Sequence, residues 1–449
     1  MGTGHTSSVR RAGFVAVLSA AAVMPLVAGC APPGSENANP GAQTPVRVNT
    51  DLGTEPVELT LYDGAGLKKV DDALIAAFTE LHPNVTITAR YDPDDVQAVN
   101  APRVIASSDP PDIARVIALP GAVKNRQLTD LGPWADAYGW EQLPPGQLAM
   151  YRVDKNGVRG TGSQYTMASG FTVTGLYYNK DLAAHVGMTR PPASLHELEQ
   201  SMSAAKQRGI VPLMAGNKSG QVTFSVQMML NAILGRDAVN DWVFNVPGAT
   251  VDTPGAVDAV RVVAGWAADG YFPKDTNGTD STTAAGRFAA GEALFYASGN
   301  WDAATLQAKM GDNVGFLLPP VRDGDRPVAM SDPVSNFAIP AGSDKKNAAA
   351  AFLDFLRSEQ GRQVVVDGGF APSGSGPATL VEPDTLRAEI QRAFATLVAA
   401  DGQVQFVQNA TNGMSGTWLP QVQMLVAGKT TAADLTAAVQ SAYEQDLAR

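Results

Sequence analysis

Covalent catalysis needs a nucleophile beside a base, and this sequence offers few of either. Its 449 residues hold one cysteine, Cys30, and four histidines, His5, His82, His185 and His196. The last three fall at helix ends or within predicted surface helices, where solvation accounts for them, so no general base is nominated. Several motifs stop short of their chemistry. "AGKTT" (427–431) closes like a phosphate loop, but Gln423 stands where the first glycine must turn the chain. "HELEQ" (196–200) opens like a zinc-protease helix, and Gln200 replaces the second histidine. "SAAK" (203–206) has serine–x–x–lysine spacing that any alanine-rich helix matches, and no SDN or KTG triplet accompanies it. "DTNGTDS" (275–281) has oxygen side chains at calcium-loop spacing but lacks the closing glutamate. No catalytic residue, metal site or cofactor is therefore expected.

What remains is the chemistry of contact. Aromatic and acidic residues sit at the ends of predicted strands: Tyr62 and Asp63 after "VELTL", Asp112 in "PPDIARV", Trp301 and Asp302 after "ALFYASGN". In open α/β sheets, ligands bind beyond the carboxyl ends of strands. A sugar offers C–H faces that aromatic rings cover and hydroxyls that carboxylates bind through charge-assisted hydrogen bonds. Two carboxylates flanking one bond would instead make a glycoside hydrolase, and Asp63 with Asp302 or Asp332 is the candidate pair for that alternative. Trp134, Trp140, Trp242 and Trp266 read as core.

The elements that position these residues alternate. "VELTLYDG" is a strand, "LKKVDDALIAAFTELHP" a helix with apolar residues at Val70, Leu74, Ala77, Phe78 and Leu81, and "NVTITARY" a second strand. Strands at "DIARVIAL", "TGLYYN", "VPLMAG", "ALFYAS", "NVGFLLP" and "SNFAIPAG" alternate with helices at "DLAAHVG", "SLHELEQSMSAAKQRG", "VTFSVQMMLNAILG" and 254–269. "KKNAAAAFLDFLRSEQGRQVVVDGG" reads as one helix, and the part from Pro383 as almost wholly helical. Two clusters of strand and helix imply an α/β chain of two lobes.

The N-terminus has a different character. Arg10 and Arg11 precede the apolar run "AGFVAVLSAAAVMPLV", which is too short for a membrane span and reads as a secretory signal over 1–29. "SVRRAGF" faintly suggests twin-arginine export. "LVAGC" (26–30) resembles the lipobox of bacterial lipoproteins, which implies lipidation of Cys30 and anchoring on the outer face of the cytoplasmic membrane. Residues 30–56, rich in Pro, Gly, Asn and Thr, read as anchor and flexible tether. With Cys30 so used, no disulfide can form, and the body must stand on core burial, which its 45% hydrophobic content allows. Losing the signal's two arginines takes the net charge from −11 to −13, which disfavours nucleic acid or an anionic lipid surface as partner.

"FAAGEALFYASGNW" (288–301) resembles the signature of the family 1 extracellular solute-binding proteins of ABC importers. "FTELHPNVTI", "DPPDIARV", "LYYNKDLAAHVGMTRPPASLHELE" and "FAIPAGSDKKNAAAAFLDFLRSEQGRQ" follow in that family's order, with Trp418 near the end. The resemblance spans roughly residues 57–445. It implies a type II two-lobed fold closing on a ligand about hinges, with lobe 1 from 57–170 and 333–380 and lobe 2 from 171–332 and 381–449. Crossings are expected near Ser169–Thr172, near Asp332–Asn336 and near 378–385. It further implies ligand contacts at Trp301 and Trp418 by stacking, at Phe224 on the second lobe, and at Tyr62 and Asp63 on the first. Asp112 matches an aspartate that either touches ligand or supports its loop; Asn217, Asp302 and Asp332 are hydroxyl binders by position. The implied protein is a monomeric, non-enzymatic binder that hands a sugar, an oligosaccharide by this reading, to ABC permease subunits; a glycerophosphodiester or an amino sugar is the rival ligand. "MSDPVS" and "GFAPSGSG" depart from the family pattern, so the resemblance does not specify the substrate.

Overall fold

The computed structural model describes Met1 and residues 47–322, 324–374 and 385–448. Cys30, the signal segment and residues 31–46 lie outside the described residues, as does the third expected crossing apart from Thr385. The end of the segment read as tether is fastened down. Asn347 donates to the Arg47 carbonyl (3.1 Å), Asn84 donates to the Glu55 carbonyl (3.0 Å), and Val48 and Leu52 pack on the core. Residues 47–56 thus belong to the body.

Two sheets organise the chain. The first orders Ala371–Pro372, Thr166–Phe171, Pro333–Ala338, Ile113–Arg115, Val57–Gly64 and Val85–Asp92 side by side. The second orders Val314–Leu317, Thr174–Asn179, Ala293–Gly299 and Val211–Met214. In the first sheet, Val57–Gly64 runs parallel to both Val85–Asp92 and Ile113–Arg115. Pro333–Ala338 is antiparallel to Ile113–Arg115 and to Thr166–Phe171. Gly64, Asp92, Arg115 and Phe171 therefore all end on one edge. In the second sheet Thr174 pairs with Gly299, Leu176 pairs with Leu317, and Val211–Met214 is parallel to Ala293–Gly299. Gly299, Leu317 and Met214 thus end at the edge where Thr174 enters. Only Thr172 and Val173 separate Phe171 from Thr174, so the carboxyl edges of the two sheets face each other across that crossing.

The helices form where the apolar period dictates. Lys68–Leu81 buries Val70, Leu74, Ala77 and Phe78, and Phe78 meets Phe352 edge-on at 5.3 Å. Asn179, Ser194, Thr253, Asp280, Ser358, Thr385 and Thr431 each cap a helix by accepting a backbone N–H, a contribution of about 1 kcal/mol apiece. One cap corrects the sequence reading. The helix expected over 345–369 is two, Lys346–Phe355 and Glu359–Asp367, because Ser358 takes an extended conformation and starts the second by accepting from Gly361 N–H. The part after Pro383 also holds a strand, Gln403–Val404, paired with Ala329–Met330. The helix Asp94–Ile105, with Pro102 inside it, also escaped the periodicity reading.

No helix among the described residues is long and apolar enough to cross a membrane, and no group of three or more His, Cys, Asp or Glu among them could hold a metal ion.

Candidate functional site

The two facing edges define a cleft, and its hinge side is built from two chain crossings tied to each other. Thr172 N–H donates to the Asp332 carbonyl (2.9 Å), Asp332 N–H donates to Thr172 Oγ1 (2.8 Å), and Ser331 Oγ donates to the Thr172 carbonyl (2.7 Å). The first crossing is held again from lobe 2 by Asn300, whose side-chain oxygen accepts from Val173 N–H (3.2 Å) and whose amide donates to the Phe171 carbonyl (3.3 Å). The residue after this clamp is Trp301.

Trp301 is unlike every other tryptophan in the chain. Trp134, Trp140, Trp242, Trp266 and Trp418 are 3% exposed or less, whereas Trp301 is 40% exposed. Its ring folds back onto the strand it follows: a Cβ on Gly299 would lie 2.1 Å from ring carbon Cζ3, so only glycine leaves room for that pose. Phe224 braces the ring edge-on at 5.9 Å, and Phe406 supports Phe224 at 5.8 Å. One aromatic face is thereby held rigidly at the carboxyl end of a strand, beside a hinge. In open α/β sheets ligands bind beyond the carboxyl ends of strands, so this braced face is a candidate contact surface.

On the opposite edge the polar groups are layered. Asp63 is fully buried and pairs with Arg115 Nε (2.7 Å). It also accepts from Gly64 N–H and is hydrogen-bonded to buried Asp71, which in turn accepts from Ser335 Oγ (2.7 Å). Burial pushes both carboxyls up, Asp71 further because Asp63 and its charge lie beside it. Arg115 reaches outward to Asp94 (3.0 Å) and Gln97 (3.3 Å). Ile117 and Val96, both exposed, stand nearby in sequence at the same edge.

The remaining nominated residues divide by what engages them. Tyr62 is 1% exposed, with its hydroxyl on Asp92 (2.7 Å) and Arg90 over its ring. Asn217 is buried and spends its side chain on Asn277 (2.6 Å) and Val222 N–H (3.3 Å), seating the helix Val222–Leu234. Asp112 accepts from Thr60 N–H (2.9 Å), Thr60 Oγ1 (3.2 Å) and Ser343 Oγ (2.7 Å), so it supports its loop. Asp302 accepts from Tyr296 OH (2.8 Å) and Ser298 Oγ (2.6 Å). Asp332 accepts from Phe406 N–H (3.2 Å) and from the Asn409 amide. Burial pushes its carboxyl up to about 7, against the pull of the Phe406 N–H and of Arg159. Arg159 comes from the hairpin Arg152–Gln164, whose strands pair antiparallel; it lies over Phe244 and donates its N–H to the Phe244 carbonyl (2.9 Å). Trp418, 2% exposed on the helix Met414–Val426, sits inside the helical side of lobe 2, so it has no free face. The structure thus brings Trp301 and Phe224 together at the cleft edge and leaves Tyr62, Asp63, Asn217, Asp112 and Trp418 in supporting positions. Asp94 and Asn300 escape the sequence reading as site residues. The signal for Asp94 lies in "YDPDD", an acid two residues past a strand that is a neighbour of the first.

Residues 73–393 match the model of a family described as bacterial extracellular solute-binding protein. The chain belongs to that family. No curated protein sequence matches it. Among solved structures, a chitin oligosaccharide binding protein is 20% identical, with 88% of this chain and 100% of that one covered at a TM-score of 0.69. The bacterial solute receptor AcbH, described as preferring β-D-galactopyranose exclusively, is 18% identical, with 87% and 98% covered at 0.71. A family 1 extracellular solute-binding protein from Bifidobacterium longum subsp. infantis is 19% identical, with 87% and 100% covered at 0.70. These likenesses establish the two-lobed α/β fold of this solute-binding protein.

Proposed function

We propose that the protein captures a sugar between its two lobes and delivers it to an ABC permease, held at the outer face of the membrane by lipid on Cys30. The observation that carries the sugar reading is Trp301: one flat apolar face, braced by Phe224 and seated on Gly299, at the mouth of a hinged cleft. A pyranose ring lays its C–H face on such a surface, while carboxylates on the rim take its hydroxyls. The oligosaccharide and galactose receptors that share the fold support the same ligand class. Closure needs no chemistry: ligand that touches both lobes favours the closed state, and the paired crossings at Thr172 and Asp332 are where the backbone turns. The role is that of a binder rather than an enzyme.

The test is a thermal-shift screen of the purified protein against glucose, galactose, maltose, chitobiose, glucosamine and sn-glycero-3-phosphocholine. A saccharide that binds raises the midpoint by mass action, and Trp301→Ala abolishes the rise. Failure of every saccharide, with a shift from the phosphodiester, sinks the sugar reading. The anchor is tested separately: Cys30→Ser releases the protein from the membrane fraction into the medium.

A further inference from the structure

The nominated lobe-1 acid, Asp63, is fully buried and cannot meet a ligand. The charge it begins is nevertheless passed outward. Arg115 binds Asp63 through Nε and Asp94 through Nη2, and side-chain exposure rises along this line from 0% at Asp63 through 14% at Arg115 to 55% at Asp94. Asp94 is the first residue of the helix that follows strand Val85–Asp92, on the same edge as Gly64 and Arg115.

Its carboxylate is seated, not loose. Gly66 N–H donates to Oδ2 (3.1 Å), while Arg115 Nη2 holds Oδ1. The seat depends on two bare backbones. A Cβ on Gly64 would lie 2.1 Å from Asp94 Oδ1 and 2.6 Å from Arg115 Nη2, and a Cβ on Gly66 would lie 2.4 Å from Asp94 Oδ2. Gln97 completes the frame by accepting from Arg115 Nη2 and donating to the Arg115 carbonyl (3.0 Å). Each oxygen of Asp94 still has a lone pair free on the solvent side, since a carboxylate offers about four acceptor sites.

Charge decides what such a group takes. Three carboxylates, Asp63, Asp71 and Asp94, surround the single guanidinium of Arg115, which pairs with Asp63 at the buried end and Asp94 at the exposed end. One guanidinium shared by these acids leaves the exposed end of the group, Asp94, with negative character at the cleft edge, opposite the lobe that carries Trp301. We propose that Asp94 is the lobe-1 recognition group for the ligand, accepting hydrogen bonds from hydroxyls of an uncharged saccharide and turning away ligands that carry a phosphate or carboxylate. This rests on the sugar-binding reading above and narrows it.

The test uses calorimetry on the purified protein with the tightest saccharide of the screen, its singly deoxygenated analogues, and sn-glycero-3-phosphocholine. Asp94→Asn keeps the size of the side chain and an oxygen for Gly66 N–H, and at this exposure it leaves the melting midpoint within a few degrees. It is expected to weaken saccharide binding about 10- to 100-fold, the worth of a hydrogen bond to a charged group. One deoxy analogue should lose affinity for the wild type and lose little more on Asp94→Asn, a coupling that a merely structural role of Asp94 would not produce. If Asp94→Asn and Asp94→Ala bind the saccharide within twofold of wild type while Trp301→Ala does not bind, Asp94 is not a contact and the sugar reading stands. If the phosphodiester binds tighter than every saccharide, both fall.

Discussion

Replacing Gly299 by alanine isolates the pose of Trp301 from its presence. The new Cβ would lie 2.1, 2.3 and 2.5 Å from ring atoms Cζ3, Cη2 and Cε3, whereas carbon atoms rest at about 3.5–4.0 Å. The ring must therefore move by about 1.4 Å or more, which destroys a face-on stack. Backbone strain does not confuse the result, because Gly299 has φ −121° and ψ −179°, extended values that alanine adopts freely. The affinity at stake follows from the area. One face is about a third of the 150–250 Å² that a large aromatic buries, or about 50–80 Å². At about 25 cal/mol/Å² this gives about 1–2 kcal/mol, and a geometry-specific aromatic contribution adds about 1 kcal/mol. The sum corresponds to a loss of affinity of about 30- to 150-fold. Titration calorimetry measures that loss, and the melting midpoint should stay within a few degrees of wild type. Acrylamide quenching of tryptophan emission reports the ring, since Trp301 is the one exposed tryptophan of six. If quenching changes while saccharide affinity does not, Trp301 is not the platform and the reasoning fails.

Other substitutions separate support from contact. Asp112→Ala strands Thr60 N–H and two hydroxyls, so it should cost about 2–4 kcal/mol in urea unfolding and leave affinity unchanged; an affinity loss without destabilisation would place Asp112 on the ligand. Trp418→Ala opens a cavity in lobe 2 and should cost about 3–5 kcal/mol, again with the affinity of the remaining folded protein intact. Asp332 supplies a pH dependence. Its folded carboxyl is raised to about 7 by burial, above the ordinary value near 3.9. The fold therefore keeps a proton that the unfolded chain releases, and this contribution is whole below about pH 4 and is lost as pH rises through 7. The wild-type midpoint should fall more steeply than that of Asp332→Asn between pH 5 and 8. The Asp63 and Asp71 pair contributes with the same sign to both proteins and cancels, so parallel curves would show that Asp332 does not titrate there.

The sequence by itself determined whatever depends on near neighbours along the chain. Helical period placed Lys68–Leu81, alternation placed Val57–Gly64, and the run "ALFYASGNW" put an aromatic just beyond a strand. Neither Ser358 as the start of a second helix nor Gly299 as the seat of the Trp301 ring is legible there. Burial was decided only by tertiary structure, because it depends on which element comes to lie overhead. Asp63, the penultimate residue of its strand, and Asp94, two residues past the neighbouring one, are both acids at the same carboxyl edge. One is sealed under Arg115 and a helix, and the other opens to the cleft, and no pattern within either segment distinguishes them. Trp301 and Trp418 make the same point in reverse: both were read as stacking rings, but the helix carrying Trp418 packs into lobe 2, while glycine at 299 lets Trp301 lie flat on its own strand with a face to spare. The cleft itself exists only because a two-residue crossing brings the carboxyl edges of two separate sheets face to face, a juxtaposition of residues such as Arg115 and Gly299 that lie far apart in the chain.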